Sequence, residues 1–104
     1  MVMPVANYIK LEKEKPKRMR FDRWWWEDRR ITDPKSKMLK TSKVMVFHAT
    51  EEDGVKVDKI FSALAYKLQE TLAPYIETGQ AFTRLIEITW YPQDYATDYA
   101  VRLI

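Results

Sequence analysis

The stretch from Arg20 to Arg30, Arg-Phe-Asp-Arg-Trp-Trp-Trp-Glu-Asp-Arg-Arg, sets three consecutive tryptophans between charged residues and restricts every fold that can hold it. As a strand it alternates faces, sending Phe21, Arg23 and Trp25 one way and Asp22, Trp24 and Trp26 the other. One sheet face then buries Trp24 and Trp26, while Trp25 needs cover on the opposite face. As a helix, steps of about 100° spread the indoles over roughly 200°, wider than the single apolar stripe of a surface helix. Either way at least one indole faces something outside a two-layer core: a base, a partner protein or the chain's own N-terminal arm.

A chain of 104 residues holds one modest core, so residues 1–104 are expected to form a single domain. No apolar run approaches the about 18 residues of a membrane span, and the N-terminus lacks the pattern of a signal peptide, which predicts a cytoplasmic protein with no membrane partner. Zero cysteines exclude disulfides and thiolate metal sites. Asn7 as the one asparagine, only two glycines, and abundant Lys and Glu lean toward a thermophile, in an archaeal or viral genome.

The net charge of +3 hides a polarity along the chain. Residues 1–43 hold thirteen Lys and Arg against six acids, and residues 44–104 hold five against nine. Such a split describes a basic arm carried by a more neutral body.

Residues 5–11 alternate as a possible extra N-terminal strand. Residues 10–20 carry six positive charges around Pro16, which bars a helix interior, and read as a basic arm or loop. Residues 19–26 are extended by their aromatic content. Residues 27–43, with Asp33-Pro34 as a turn signal, read as a basic loop. Residues 44–49 form a short apolar run, a buried central strand. Val57, Ile60, Phe61, Leu64, Leu68 and Leu72 recur at three- and four-residue steps, which predicts one long amphipathic helix over 57–73, interrupted at Pro74. Residues 82–91 and 97–104 follow as two strands joined by a turn at 92–94. The fold class is α+β: a mainly antiparallel sheet of about four strands with one long helix on one face, in the order β-β-α-β-β.

No catalytic motif stands out, and the chain reads as a non-enzyme without cofactor. His48, the one histidine, sits in an apolar run where a structural role outweighs a catalytic one. No acid or histidine spacing matches a zinc site or a calcium loop, so no metal is expected. Gly54 and Gly79 are too far apart to cradle a phosphate.

What remains is basic and aromatic residues interleaved over 10–43. Lys15, Lys17, Arg18, Arg20, Arg23, Arg29, Arg30, Lys35, Lys37 and Lys40 offer phosphate contacts, and Trp24, Trp25 and Trp26 offer stacking on unpaired bases, worth about 1–3 kcal/mol per base. These residues predict a small basic nucleic-acid-binding protein for RNA or single-stranded DNA, such as a ribonucleoprotein component. The Gly- and Phe-rich signature of the RNA-recognition fold is absent. The alternative is a protein-interaction module, an inhibitor or homodimer, that uses a sheet face or edge.

Overall fold

A computed structural model describes residues 8–33, 35–92 and 97–104. Strand β1 runs over Lys17–Thr32, β2 over Leu39–Glu52 and β3 over Val55–Ala63; helix α1 spans Tyr66–Glu77; and β4 (Ile86–Tyr91) and β5 (Asp98–Leu103) close the chain. They form a five-stranded sheet in the order β3-β2-β1-β4-β5, with every neighbouring pair antiparallel. Among the described residues no helix is long and apolar enough to cross a membrane.

The α+β class is observed, with five strands where about four were expected and a shorter helix. Residues 57–63, read as the helix start, belong to β3. The reason is Asp53-Gly54, whose φ values of 49° and 85° are both left-handed. A two-residue turn with both central residues at positive φ twists as paired strands do and returns the chain onto itself. It brings Val55 opposite Glu52 and Phe61 opposite Phe47. Phe61 and Ala63 therefore reach the core as alternate strand residues, Ile60 falls on the reverse face, and Leu64 is left 48% exposed.

Helix α1 packs Leu68 and Leu72 into the core and continues through Pro74 to Glu77. Proline there removes only one intrahelical bond, and the last turn is closed by Thr78 N–H donating to the Pro74 carbonyl at 3.1 Å and Gly79 N–H to Ile76 at 3.1 Å. At the other end the Gln69 amide donates to the carbonyls of Lys43 and Ala63, both at 2.9 Å, and so ties the helix to the outgoing end of the sheet. Under the helix Phe21 stacks on Phe47 at 4.7 Å and on Phe61 at 5.9 Å, with Met19, Met45, Ile86 and Ile88 around them.

The segments expected as basic loops are also corrected. Residues 27–43 are the outer halves of β1 and β2, joined only by residues 33–38. Of the 10–20 arm, residues 17–20 are strand, and Lys13 makes an isolated parallel bridge to Trp90. Near the expected N-terminal strand, Ile9 is buried and donates its N–H to the Ile60 carbonyl at 2.8 Å, whereas residues 5–7 lie outside the described residues. The expected turn at 92–94 likewise falls partly outside them. Residues 82–85 precede β4, because a 3₁₀ turn at Gln80–Phe82 redirects the chain first.

Candidate nucleic-acid interface

The site grows out of the β1–β2 hairpin, which pairs continuously on the outer side from Arg23↔His48 to Thr32↔Leu39. Pairing of β2 with β3 begins only at Met45, and β1 meets β4 only over Lys17, Arg18 and Met19. From Glu27 and Val44 outward, the hairpin is thus a two-stranded ribbon with no further strand partner among the described residues. Its six steps from Trp26 to Thr32 project it by about 20 Å, at about 3.3 Å per residue.

An extra residue, Asp22, between the Phe21↔Ala49 and Arg23↔His48 pairs decides which way each indole points. A bulge shifts the alternation by one. Trp24 opposite Phe47 and Trp26 opposite Met45 therefore join Phe21 on the helix side, while Arg23 and Trp25 occupy the reverse face. This corrects the simple alternation that grouped Phe21 with Trp25.

The three indoles consequently differ. Trp24 stacks toward Phe47 at 6.4 Å and meets Trp26 edge-on at 5.6 Å. Trp25 lies opposite the fully buried Val46, with the Arg23 guanidinium 5.8 Å from its ring centre. Trp26 is 48% exposed at the ribbon's root. Trp24, Trp26 and Met45 form, with Ala73, Ile76 and Glu77 of α1, an apolar cleft of about 230 Å³. A larger cleft of about 360 Å³ lies at the other end of α1, beside Ile9, Leu64, Leu68 and Trp90.

Of the predicted cations, Lys15, Lys17, Arg18 and Arg29 are ion-paired, whereas Arg20 and the exposed Arg23 of the body are not, among the described residues. Lys15 pairs with Glu12 at 3.0 Å; Lys17 reaches Glu52 at 2.8 Å and Asp53 at 3.2 Å; Arg18 donates to Glu87 at 3.0 Å. Glu87 also takes Arg102 at 2.7 Å. Hydrogen bonds from Arg102 and then Arg18 hold the Glu87 carboxyl below its usual range, and Lys17 and then Lys59 do the same for Glu52. Arg20 is half-buried in β1. Arg29, at the ribbon's root, donates to Ser62 at 3.0 Å, approaches Glu27 at 3.4 Å and lies 5.9 Å from the Tyr8 ring centre.

Arg30, Lys35, Lys37 and Lys40 are exposed and make no ion pair among the described residues. Lys43 joins them and was missed as a site residue, because only the hairpin register places it on the ribbon, opposite Asp28. Also missed were Met38 and Leu39 at the tip, 69% and 66% exposed, which in sequence are an unremarkable apolar pair between lysines.

His48 lies on the reverse face with Nδ1 2.7 Å from Asp22 and Nε2 2.6 Å from Asp58. Those hydrogen bonds, Asp58 first, raise its pKa by favouring the imidazolium. Among the described residues no group of His, Cys, Asp and Glu has the arrangement of a metal site. Comparison with protein families, curated proteins and solved structures finds no match to this chain.

Proposed function

We propose that the chain is a non-enzymatic nucleic-acid-binding protein and that the free β1–β2 ribbon is its interface. The observation that carries this reading is where the charge sits. Residues 27–43 hold six basic and three acidic side chains, and the rest of the chain holds twelve of each, so the whole net charge of +3 belongs to the ribbon. Among the described residues, five of the body's twelve Lys and Arg (Lys15, Lys17, Arg18, Lys59 and Arg102) form an ion pair, against one of the ribbon's six, Arg29. Exposed, unmatched cations on a projecting element gain most from phosphates, because each phosphate they neutralise releases condensed counterions. Trp26, at the root of the same element, offers one indole for stacking on a base.

The second reading, a protein-interaction module, draws on the cleft between Trp24, Trp26, Met45 and the end of α1, which suits one apolar anchor side chain. Salt separates the two. Anisotropy titrations of labelled single- and double-stranded RNA and DNA over a salt series should show affinity falling steeply with salt. Changing Lys35, Lys37, Lys40 and Lys43 to Ala should lower the slope by about 0.9 for each phosphate that is no longer neutralised. A slope untouched by these substitutions, or no binding to any nucleic acid at low salt, sinks the reading and favours the interaction module.

A further inference from the structure

We propose that the ribbon's tip is a wedge for double-stranded nucleic acid: Met38 and Leu39 enter between base pairs while Lys35, Lys37 and Lys40 hold the flanking phosphates. The proposal rests on the nucleic-acid reading above and names a duplex as its partner.

Four observations carry it. Met38 and Leu39 stand at the end of the ribbon, 69% and 66% exposed, where they contribute little to burial. The described residues of the tip are nonetheless hydrogen-bonded to one another. Asp33 N–H donates to the Met38 carbonyl at 2.9 Å, Lys37 N–H to the Asp33 carbonyl at 2.7 Å, and Lys35 N–H to the Asp33 carboxylate at 2.9 Å. Hydrogen bonding from the Lys35 amide, then Ser36, keeps that carboxyl below its usual range and so anionic, as the turn requires. These hydrogen bonds lower the ordering entropy that binding would otherwise cost.

The third observation is charge. Lys35, Lys37 and Lys40 flank the apolar pair and are exposed. Leu39 pairs with Thr32 and Lys40 with Ile31, so Leu39 and Lys40 leave the ribbon on opposite faces. An apolar point between cations complements a base step between two phosphate backbones. Two-stranded ribbons lie in the minor groove of DNA as well as the major, and Met and Leu are among the side chains that unstack base steps from the minor groove. The fourth is the fate of the tryptophans. A single strand needs successive open rings to stack on. Trp24 is packed against Phe47 and Trp25 lies on the reverse face beside Arg23, which leaves Trp26 alone.

Wedges bend the duplex they enter, by about 20–90°. The test therefore measures bending apart from binding: energy transfer between dyes at the two ends of a duplex of about 30 base pairs, with anisotropy on the same duplex to confirm saturation. The protein is compared with the Met38→Ser, Leu39→Ser double variant, whose substituted side chains are too exposed to matter for folding. The expected result is that the parent brings the ends together and the variant saturates the duplex but leaves it close to straight. Three results overturn the wedge while leaving the nucleic-acid reading intact: a parent that binds without bending, a variant that bends like the parent, or binding confined to single strands. No binding to any nucleic acid at low salt overturns both. Binding to anionic phospholipid vesicles with none to the duplex replaces the duplex with a membrane surface.

Discussion

In the inner half of the β1–β2 hairpin, Lys17 and Arg18 reach Glu52 and Glu87 at 2.8 and 3.0 Å, and Phe21 and Phe47 stack beneath a helix. In the outer half, the side chains of Arg30, Lys35, Lys37 and Lys40 form no ion pair among the described residues, and Met38 and Leu39 are largely exposed to solvent. Strand pairing alone is continuous through both. The difference lies in the number of neighbours. The inner half has β3, β4 and α1 against it, which supply both apolar cover and acids. Beyond its root, where Arg29 reaches Ser62 and the Lys43 carbonyl accepts from Gln69, the two-stranded ribbon has only cross-strand partners among the described residues, and Glu27, Asp28 and Asp33 are too few for six cations. One pair of strands thus folds at one end and stays chemically open at the other.

The largest effect that sharpens this contrast is in the core. Phe47, fully buried between Phe21 and Phe61, should cost about 3–5 kcal/mol when cut to Ala, read as a shifted denaturant midpoint. Replacing residues 30–41 by an Asn-Gly turn between the paired Arg29 and Ser42 should leave that midpoint close to the parent's. If the shortened chain unfolds far more easily, the ribbon belongs to the folding unit and the contrast fails.

The tryptophans test the boundary between the halves. Trp24→Ala should lose about 2–3 kcal/mol of stability, less than full burial would give, because the ring is only partly covered. Trp26→Ala should cost less than about 1 kcal/mol of stability and instead weaken binding to single-stranded nucleic acid by about 1–3 kcal/mol, the worth of one stacked base. Equal losses of stability at the two positions would place the boundary further out along the ribbon.

The smallest effect is on the reverse face of the inner half. His48 is faced by Asp22 and Arg23 of β1 and by Asp58 of β3, and its pKa is raised. A raised folded-state pKa means that the imidazolium's contribution is whole below the free value of about 6.5 and is lost as pH climbs through the folded value. Melting temperature should therefore decline over that window, and Asp22→Asn with Asp58→Asn should flatten the decline. A titration of the His48 ring signals by nuclear magnetic resonance that shows a pKa below the free value would contradict this.

Much of the sheet was legible in the chain. The apolar run at 44–49 lies within β2, and the two strands expected over 82–91 and 97–104 are β4, whose Ile86 and Ile88 are core, and β5, whose Tyr99, Val101 and Leu103 pack against it. Residues 57–64 were ambiguous because Val57, Ile60, Phe61 and Leu64 satisfy the helical period while Val57, Phe61 and Ala63 also alternate. The local arbiter was Asp-Gly at 53–54, a hairpin signal that outweighs the helical spacing after it. The outer ribbon gave no such sign, since a strand with solvent on both faces has no apolar alternation to show.

The candidate site divides along the same line. Composition and order alone determined that the first half is basic, that the tryptophans cannot share one environment, and that no cysteine chemistry is present. Which indole stays open, which cations stay unmatched and where Met38 and Leu39 stand were decided only by the tertiary structure. Each depends on a register: the extra residue at Asp22, the Thr32↔Leu39 pairing, and the Arg18–Glu87 contact between residues far apart in sequence. Strand pairing is a non-local interaction, and a shift of one residue exchanges the faces of everything beyond it.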